Sequence, residues 1–179
     1  MKNNVFVISD LHFGHANIIK IANRPYKNVN EMDEDLIKRW NSVVKSDDTI
    51  YIIGDFALKV KKYISKLNGR KILITGNHDR LEQYDHSYFE RVYRNYHECT
   101  INNQKYVMCH YPMISWNGMF KNSILLYGHI HNSHKSFEKV NLPNAFCVNC
   151  EMNNYTPINI KFFENNKQDF GDWFESRNN

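Results

Sequence analysis

Short apolar runs of β-strand type recur along the chain, and five of them stop directly at polar residues. The five runs have the length and the isoleucine, valine and leucine content of buried strands, and they cover residues 5–9, 49–53, 71–75, 106–109 and 124–127. In open α/β sheets, ligands collect just outside the carboxyl ends of the strands. The pattern therefore predicts that polar segments far apart in sequence meet at one edge of the fold.

Helical periodicity separates the first three runs. A short helix is expected at 17–24, a longer one at 31–45 with one apolar face, and a third that begins near Lys59 and ends before Asn68-Gly69. This alternation of strand and helix is typical of parallel strand pairing. The amino-terminal half is therefore predicted to form a parallel sheet with helices on its face.

The pattern changes in the second half of the chain. Residues 98–109 form a predicted hairpin, and the later predicted strands are 124–127, 145–150 and 158–163, with no long helix between them. A mixed two-sheet sandwich with helices outside fits this order better than a doubly wound sheet. We expect one domain over 1–163, followed by a polar tail over 164–179 that docks through its few aromatic residues.

Composition narrows the class of protein. A chain of 179 residues with 42% hydrophobic content can bury one core, and its net charge of +4 permits anionic substrates. The basic residues form no aromatic-interleaved stripe of the kind that binds nucleic acid, and no apolar run approaches the roughly 18 residues of a membrane span. Four cysteines are too few for a disulfide scaffold, so we expect a cytoplasmic protein. The sequence does not determine the oligomeric state.

The polar residues after the five runs are candidate metal ligands. They are Asp10 and His12, Asp55, Asn77, His110, and His129 and His131. Taken singly, each motif also fits a turn or a core histidine. Taken together, two carboxylates, four imidazoles and one carboxamide without thiolates match the ligands of a pair of divalent first-row metals. Two carboxylates against two dications leave a net positive centre, which would attract a phosphate.

The order of these motifs resembles the calcineurin-like metallophosphoesterase superfamily. The motifs that carry the resemblance are Asp10-x-His12, Gly54-Asp55, Gly76-Asn77-His78-Asp79, His110 and Gly128-His129-x-His131. The surrounding segments 9–15, 23–25 and 40–41 are similar to a small, capless branch found in bacteria and phages. The resemblance implies an α/β fold, a four-layer α/β/β/α sandwich of two mixed β-sheets flanked by helices.

The resemblance also implies roles for individual residues. The first metal ion would be held by Asp10, His12, Asp55 and His131. Asp55 would bridge to a second ion held with Asn77, His110 and His129. His78 would be the catalytic residue, beside the metals without binding them.

The chain departs from the family at Leu58. Many relatives carry an acidic residue or histidine there to support the catalytic histidine. Either Asp79 takes that role in this chain or no residue does. The orientation of His78 is therefore the least determined part of the implied mechanism.

The implied function is a dinuclear metal-dependent phosphoesterase. It would hydrolyse phosphate mono- or diesters by in-line attack of a metal-bridging hydroxide, on a phosphorylated small molecule or, preferably, a nucleotide-like substrate. Its cofactors would be two divalent ions, Mn²⁺ first, with Fe, Zn, Ni or Co as alternatives. The alternative is a non-catalytic phosphate- or protein-binding module on the same fold, which would be expected to have lost ligands or His78. A metallo-β-lactamase-type hydrolase would require an H-x-H-x-D-H run, which the sequence lacks.

The sequence leaves alternative roles for three residues that follow the first polar segment. His15, Asn17 and Arg24 are candidates for the substrate pocket. His15 fits support of a neighbouring metal ligand equally well, and Arg24 fits either a second phosphate or an ordinary surface position. The substrate-binding residues are not determined by the sequence.

Overall fold

Nine strands and four helices make up the regular structure of the described residues. A computed structural model of the chain describes residues 3–80, 86–131 and 142–168. The strands are β1 (Val5–Ile8), β2 (Thr49–Ile53), β3 (Arg70–Ile74), β4 (Arg91–Tyr93), β5 (Tyr96–Ile101), β6 (Gln104–Cys109), β7 (Ile124–Tyr127), β8 (Ala145–Cys147) and β9 (Ile158–Asn159). The helices are α1 (Ile18–Ile21), α2 (Val29–Val43), α3 (Val60–Ile64) and α4 (Lys161–Asn165).

The strands form two mixed sheets. The first has the order β4-β3-β2-β1-β9, in which β1 to β4 are parallel and β9 is antiparallel to β1. The second has the order β5-β6-β7-β8, with an antiparallel β5-β6 hairpin followed by parallel pairs. In the first sheet Ile8 pairs with Ile52, and Ile53 pairs with Ile74. The carboxyl ends of β1, β2 and β3 therefore lie at one edge.

The period-2 alternation of each strand divides its side chains between two cores. In β2, Ile50 and Ile52 pack with the helices, whereas Tyr51 and Ile53 face the second sheet. The helical core includes the fully buried Trp40 of α2. The expected architecture of two mixed sheets flanked by helices is confirmed.

A different element covers the outer face of the second sheet in the described part of the chain. Val107 and Leu125 of this sheet pack with Trp116 and Met119 from the segment between β6 and β7, which includes a 3-10 turn, Met119–Lys121. The indole Nε1–H of Trp116 donates to the Ser123 hydroxyl at 3.0 Å. This hydrogen bond closes the segment onto itself.

Two predicted strands are shorter than expected, and one strand was missed. The strand predicted at 145–150 ends at Cys147, and the chain continues into a 3-10 turn, Cys150–Asn153. The strand predicted at 158–163 is the two-residue β9 followed by α4. The edge strand β4 was not predicted, because its short segment contains only one residue of strongly apolar type, Val92.

Residues at the predicted start of the tail contact the domain. Tyr106 donates from its hydroxyl to Glu164 Oε1 at 3.0 Å, and the backbone N–H of Gln168 donates to Asn144 Oδ1 at 2.8 Å. The predicted aromatic anchors beyond residue 168 lie outside the described residues. The division at residue 163 stays a prediction.

The helices of the described segments are short. The longest, α2, has 15 residues, and none of them combines the length and the apolar character that crossing a membrane requires. Asn28 caps α2, because its side-chain oxygen accepts from the backbone N–H groups of Asn30 and Glu31 at 3.0 Å each. This cap starts the helix two residues before the predicted position.

Candidate metal centre

The polar segments after β1, β2, β3, β6 and β7 meet where the two sheets adjoin. The segments after β1, β2 and β3 carry Asp10, His12, Asp55, Asn77 and His78. Those after β6 and β7 carry His110, His129 and His131. The structure thus brings together the residues that the sequence places at five separate strand ends.

Five of these residues have an unusual backbone conformation. Asp10, His12, Asp55, His129 and His131 have φ angles of 58°, 52°, 53°, 74° and 42°, which lie in the left-handed region. For residues other than glycine this conformation costs of order 1–3 kcal/mol each and persists only where the surroundings enforce it. The turns that follow the strands therefore aim these side chains into the centre at an energetic cost.

Two glycines permit the close approach of the loops. A Cβ atom on Gly76 would overlap Oδ1 of Asp55, and one on Gly54 would overlap the His110 ring. Gly54 also has a φ of 84°, which side chains other than glycine rarely adopt. The glycines of the two family motifs are therefore required by the packing of the centre.

Asp55 stands between two imidazoles. Its Oδ2 lies 3.4 Å from Nε2 of His12 and 3.4 Å from Nε2 of His110. Its Oδ1 is already engaged, because it accepts the backbone N–H of His78 at 2.9 Å. One carboxylate oxygen thus faces two imidazole nitrogens, from residues that follow strands of different sheets.

The two histidines differ in how their rings are held. Nδ1–H of His110 donates to the Ile53 carbonyl at 2.9 Å, which directs Nε2 towards Asp55 and towards Asn77 Oδ1 at 3.1 Å. Nε2 of His12 is buried and has no hydrogen-bond partner among the described residues. A buried, unsatisfied nitrogen of this kind is explained if a cation is its partner.

Asp10 forms the other carboxylate of the centre. It is fully buried and accepts the backbone N–H of His129 at 3.0 Å, and its Oδ1 lies 3.5 Å from Nε2 of His131. The buried amide of Asn149, oriented to satisfy both of its ends, donates to Asp10 Oδ2 at 3.0 Å and accepts the backbone N–H of His131 at 2.6 Å. Asp10 is therefore fixed from two sides.

Burial and mutual contact shift the pKa values of three buried groups of the centre, Asp10, His12 and His110. Burial raises the pKa of Asp10 to about 6 and lowers that of His12 to about 3. Burial alone would lower the pKa of His110, but its hydrogen bond to the Asp55 carboxylate raises this pKa to about 9. Without a cation, a proton on His110 offsets part of the charge of the two carboxylates. Metal binding would replace that proton, because a ligating histidine must be neutral.

Ligand atoms converge in two groups within the described residues. Those of Asp10, His12 and His131 lie within 4.8 Å of one another, and so do those of Asp10, Asp55 and His110. The remaining two predicted ligands, Asn77 and His129, both lie next to His110. Asn77 Oδ1 lies 3.1 Å from His110 Nε2, and the ring centroids of His129 and His110 are 5.2 Å apart. All seven predicted ligands thus lie together, while their assignment to individual ions stays a prediction.

His78 lies at the exposed side of the centre. Its ring centroid is 5.4 Å from that of His12 and 6.2 Å from that of His15. Asp79 accepts backbone N–H groups of Asp55 and Gly76 at 2.8 and 2.9 Å, so its carboxylate braces the loops that carry Asp55 and His78. Its predicted support of the His78 ring stays a prediction.

Both sequence-based roles for Arg24 were wrong. The residue is 4% exposed, so it is neither a surface residue nor a free phosphate ligand. Its guanidinium donates to the Asp10 and Leu11 carbonyls at 2.6 and 2.9 Å and to Glu151 Oε1 at 2.7 Å. Arg24 therefore lies beneath the turn that follows β1 rather than on the side that a substrate would approach.

Sequence reasoning missed Glu151 and Asn149. Glu151 Oε1 accepts Nδ1–H of His131 at 3.0 Å, which leaves His131 Nε2 free to bind metal. Both residues follow β8, so they repeat the pattern of polar residues at a strand end. The signal at Asn149 was hidden because the strand was expected to continue to residue 150, whereas Glu151, directly after that predicted end, was overlooked.

The other two candidates for the substrate pocket differ in position. His15 lies beside the centre with its ring centroid 5.6 Å from that of His12, and its Nδ1 is buried without a partner among the described residues. Asn17 is exposed at the N-cap position of α1. Only His15 is thus placed against a predicted metal ligand.

A two-sheet sandwich with aspartates and histidines at its strand ends is the arrangement expected of a metallophosphoesterase. The sequence model of the calcineurin-like phosphoesterase superfamily domain matches residues 4–149. The chain therefore belongs to the calcineurin-like phosphoesterase superfamily, and the expected family is confirmed.

Individual relatives cover the chain to different extents. An uncharacterized protein of Methanocaldococcus jannaschii is 34% identical over 164 residues, which is 87% of this chain and 86% of that protein. The gene 66 protein of Mycobacterium phage L5 is 43% identical over 84 residues, or 43% of this chain and 40% of that protein. A crystal structure of a protein of unknown function from Aquifex aeolicus has a TM-score of 0.73 at 26% identity and covers 92% of this chain and 99% of that chain.

Proposed function

We propose that the chain is a dinuclear metal-dependent phosphoesterase that hydrolyses phosphate mono- or diesters, with nucleotide-like substrates favoured. The observation that carries the proposal is the position of Asp55 Oδ2, 3.4 Å from Nε2 of both His12 and His110. A carboxylate oxygen between two imidazole nitrogens is suited to bridge two cations. We assign Asp10, His12, His131 and Asp55 to the first half-site. The second half-site consists of Asp55, Asn77, His110 and His129.

The residues present fit divalent first-row metals. The orphaned, buried Nε2 of His12 costs about 1–3 kcal/mol while it lacks a partner, and a cation would satisfy it. Nitrogen and oxygen donors without thiolates suit Mn²⁺ and its neighbours, whereas Mg²⁺ prefers all-oxygen sites and retains its water. We therefore propose two divalent ions, with Mn²⁺ preferred.

The metals and the protein would contribute different parts of the chemistry. When bound, two divalent ions supply a water of lowered pKa and stabilise the charge on the phosphoryl oxygens. The chain fixes their positions, since Ile53 and Glu151 hold the His110 and His131 rings through Nδ1. Asn77 adds a carbonyl oxygen without adding charge.

His78 is the residue that we propose acts on the substrate. Its exposed ring lies beside His12 rather than among the buried ligands. From this position it can donate a hydrogen bond to a phosphoryl oxygen or give its proton to the leaving alkoxide, which typically contributes about 10²- to 10⁴-fold. A non-catalytic binding module would not need this residue together with a complete ligand set.

The remaining finer expectations are part of the same proposal. Asn77 and His78 are exposed, which supports access of a nucleotide-like ester to the proposed centre. The cysteines at 99, 109, 147 and 150 are free thiols, which is compatible with the expected reducing, cytoplasmic location.

A metal-exchange experiment tests the function. Purified protein is treated with chelator, and phosphate release from nitrophenyl mono- and diesters and from nucleotide diesters is measured before and after metal addition. We expect activity to disappear with chelator and to return with Mn²⁺ more fully than with Mg²⁺. Full turnover by protein shown to be free of metal would overturn the proposal.

A further inference from the structure

Arg24 is the only lysine or arginine that is buried among the described residues. Its side chain has no exposed surface, and the Glu151 side chain that it pairs with is 3% exposed. The charged nitrogen and oxygen lie 2.7 Å apart. A buried ion pair gains little stability against well-packed apolar residues, so its presence beside the centre calls for another reason.

One side of the guanidinium holds the turn that follows β1. Asp10 and His12 adopt left-handed conformations there, and Asp10 and Leu11 have no exposed surface. Nη2 of Arg24 donates to the Asp10 carbonyl at 2.6 Å, and Nη1 donates to the Leu11 carbonyl at 2.9 Å. The planar fork of arginine thus satisfies two consecutive carbonyls, which the single ammonium of lysine cannot match in geometry.

The other side of the guanidinium holds Glu151. Nε and Nη2 of Arg24 donate to Glu151 Oε1 at 2.9 and 2.7 Å, and Nδ1–H of His131 donates to the same oxygen at 3.0 Å. Oε2 of Glu151 is buried without a hydrogen-bond partner in the described structure. The hydrogen bonds of Glu151 with Arg24 and with His131 therefore share one oxygen, Oε1, which links the guanidinium to the imidazole ring.

We propose that Arg24 and Glu151 are positioning residues that preorganise the first half-site. The pair connects to its three unshared ligands, Asp10, His12 and His131, through the turn on one side and the imidazole on the other. This inference rests on the proposed metal-dependent function. It also gives a role to the Asn23-Arg24-Pro25 motif, which the proposed ligand set leaves unexplained.

The second half-site is held by other groups. Nδ1–H of His110 donates to the Ile53 carbonyl, and Asp79 braces the backbone at Asp55 and Gly76. None of these contacts involves the Arg24–Glu151 pair. The proposal therefore requires an asymmetric effect, in which loss of the pair weakens one ion and spares the other.

Metal titration of matched variants tests this asymmetry. Mn²⁺ binding to the full chain is measured by competition with a chromophoric chelator for Glu151→Gln and for the double variant Arg24→Met with Glu151→Met. The double variant removes both charges together, so neither is left unpaired if a single variant fails to fold. Asp35→Asn is the control, because Asp35 pairs with Arg39 at 2.6 Å on the half-exposed surface of α2.

The expected result is a selective loss of affinity. The double variant should bind one equivalent as the wild type does and the other about 10- to 100-fold more weakly, the range for loss of a group that orients a metal-binding histidine. Glu151→Gln should lose less, since its amide oxygen can still accept from His131. Asp35→Asn should bind both equivalents normally.

A second readout does not depend on metal. Nitrogen-15 NMR of the metal-free protein reports which ring nitrogen of His131 carries the proton. We expect Nδ1–H in the wild type and a shift towards Nε2–H in the double variant, whereas a pair that only stabilises the fold would change the unfolding temperature and leave this tautomer unchanged. Two normal equivalents in the double variant would overturn the positioning role alone, and a wild type that binds no metal would overturn the proposed function as well.

Discussion

The backbone N–H of His78 donates to Oδ1 of Asp55 at 2.9 Å, so the two loops after β2 and β3 are joined at the centre. This bond fixes the carboxylate plane and leaves Oδ2 facing His12 and His110, 3.4 Å from Nε2 of each. It also ties the position of the exposed His78 to the residue that we propose bridges the metals. A change at either residue should therefore be tested for its effect on the other.

Substitution of Asp55 should affect both ions. In Asp55→Asn the shared oxygen loses its charge or is replaced by an amide nitrogen, so we expect metal occupancy to fall at both half-sites, whereas His131→Ala should empty mainly the first. Elemental analysis after gel filtration gives the number of equivalents. Asp47→Asn, at an exposed loop position, is the control and should retain two. Two full equivalents in Asp55→Asn would mean that the bridge is wrongly assigned.

Removal of the His78 ring should lower turnover without removing metal. We expect His78→Ala to retain both ions and to reduce kcat by about 10²-fold or more with little change in KM, because the ring would act mainly in the transition state. Proton donation predicts a larger loss for alkyl phosphates than for nitrophenyl esters, which depart without a proton. An equal loss for both would indicate charge stabilisation at the phosphoryl oxygens instead. Near-normal turnover on both esters would exclude His78 from catalysis.

The stability of the metal-free protein should fall above pH 6.5. The Asp55 carboxylate raises the pKa of His110 from 6.5 to about 9, so this histidine stabilises the fold fully below pH 6.5 and progressively less as the pH rises through about 9. Asp10 and His12, with pKa values of about 6 and 3, have largely finished titrating below this window. Urea unfolding at several pH values measures the change. His110→Gln should flatten the profile, and an equally steep fall in that variant would assign the effect to other groups.

Metal affinity should change in the opposite direction over the same window. Binding requires His110 without its proton, so apparent Mn²⁺ affinity should increase from pH 6.5 to 9 and binding should release protons. Calorimetric titration in two buffers of different ionisation enthalpy counts those protons. A pH-independent affinity would contradict the assignment of His110 as a ligand.

A methyl group on Gly76 should disrupt the bridge. Gly76→Ala would place its Cβ in overlap with Asp55 Oδ1 and 2.8 Å from the Asp55 backbone nitrogen, so the carboxylate must move away from the imidazoles. We expect loss of both metal equivalents and of activity in a protein that still folds. Ala57→Gly, in the segment that follows β2, adds no atom and should retain the metals. Unchanged metal content in Gly76→Ala would show that the loops can separate without consequence.

The sequence was sufficient to predict an architecture of two mixed sheets and the convergence of polar residues at the strand ends, for a physical reason. Buried parallel strands are continuous apolar runs, and the polar residues at their ends stand out against them, as at Asp10, Asp55 and His110. The strand β4 and the helix α4 were missed because neither has a pattern of its own, and their conformation depends on the neighbours that they pack against. Local patterns cannot report such tertiary effects.

Arg24 illustrates the same limit within the site. An arginine before a proline is ordinarily exposed, and only the fold reveals that Glu151, 127 positions further along the chain, accepts from it at 2.9 Å. Residues that bind metals directly are recognisable by their type and spacing, whereas residues that orient them are recognisable only by contact.

The predicted ligands of the centre come from both sheets. Asp10, Asp55 and Asn77 follow strands of the first sheet, and His110 and His129 follow strands of the second. An occupied centre would therefore cross-link the two halves of the sandwich at one rim, and the sheets could not separate before the coordination bonds break. Holding the metals would slow the opening of the domain as well as lower its free energy, so that saturating Mn²⁺ should lengthen the lifetime of the native state against proteolysis.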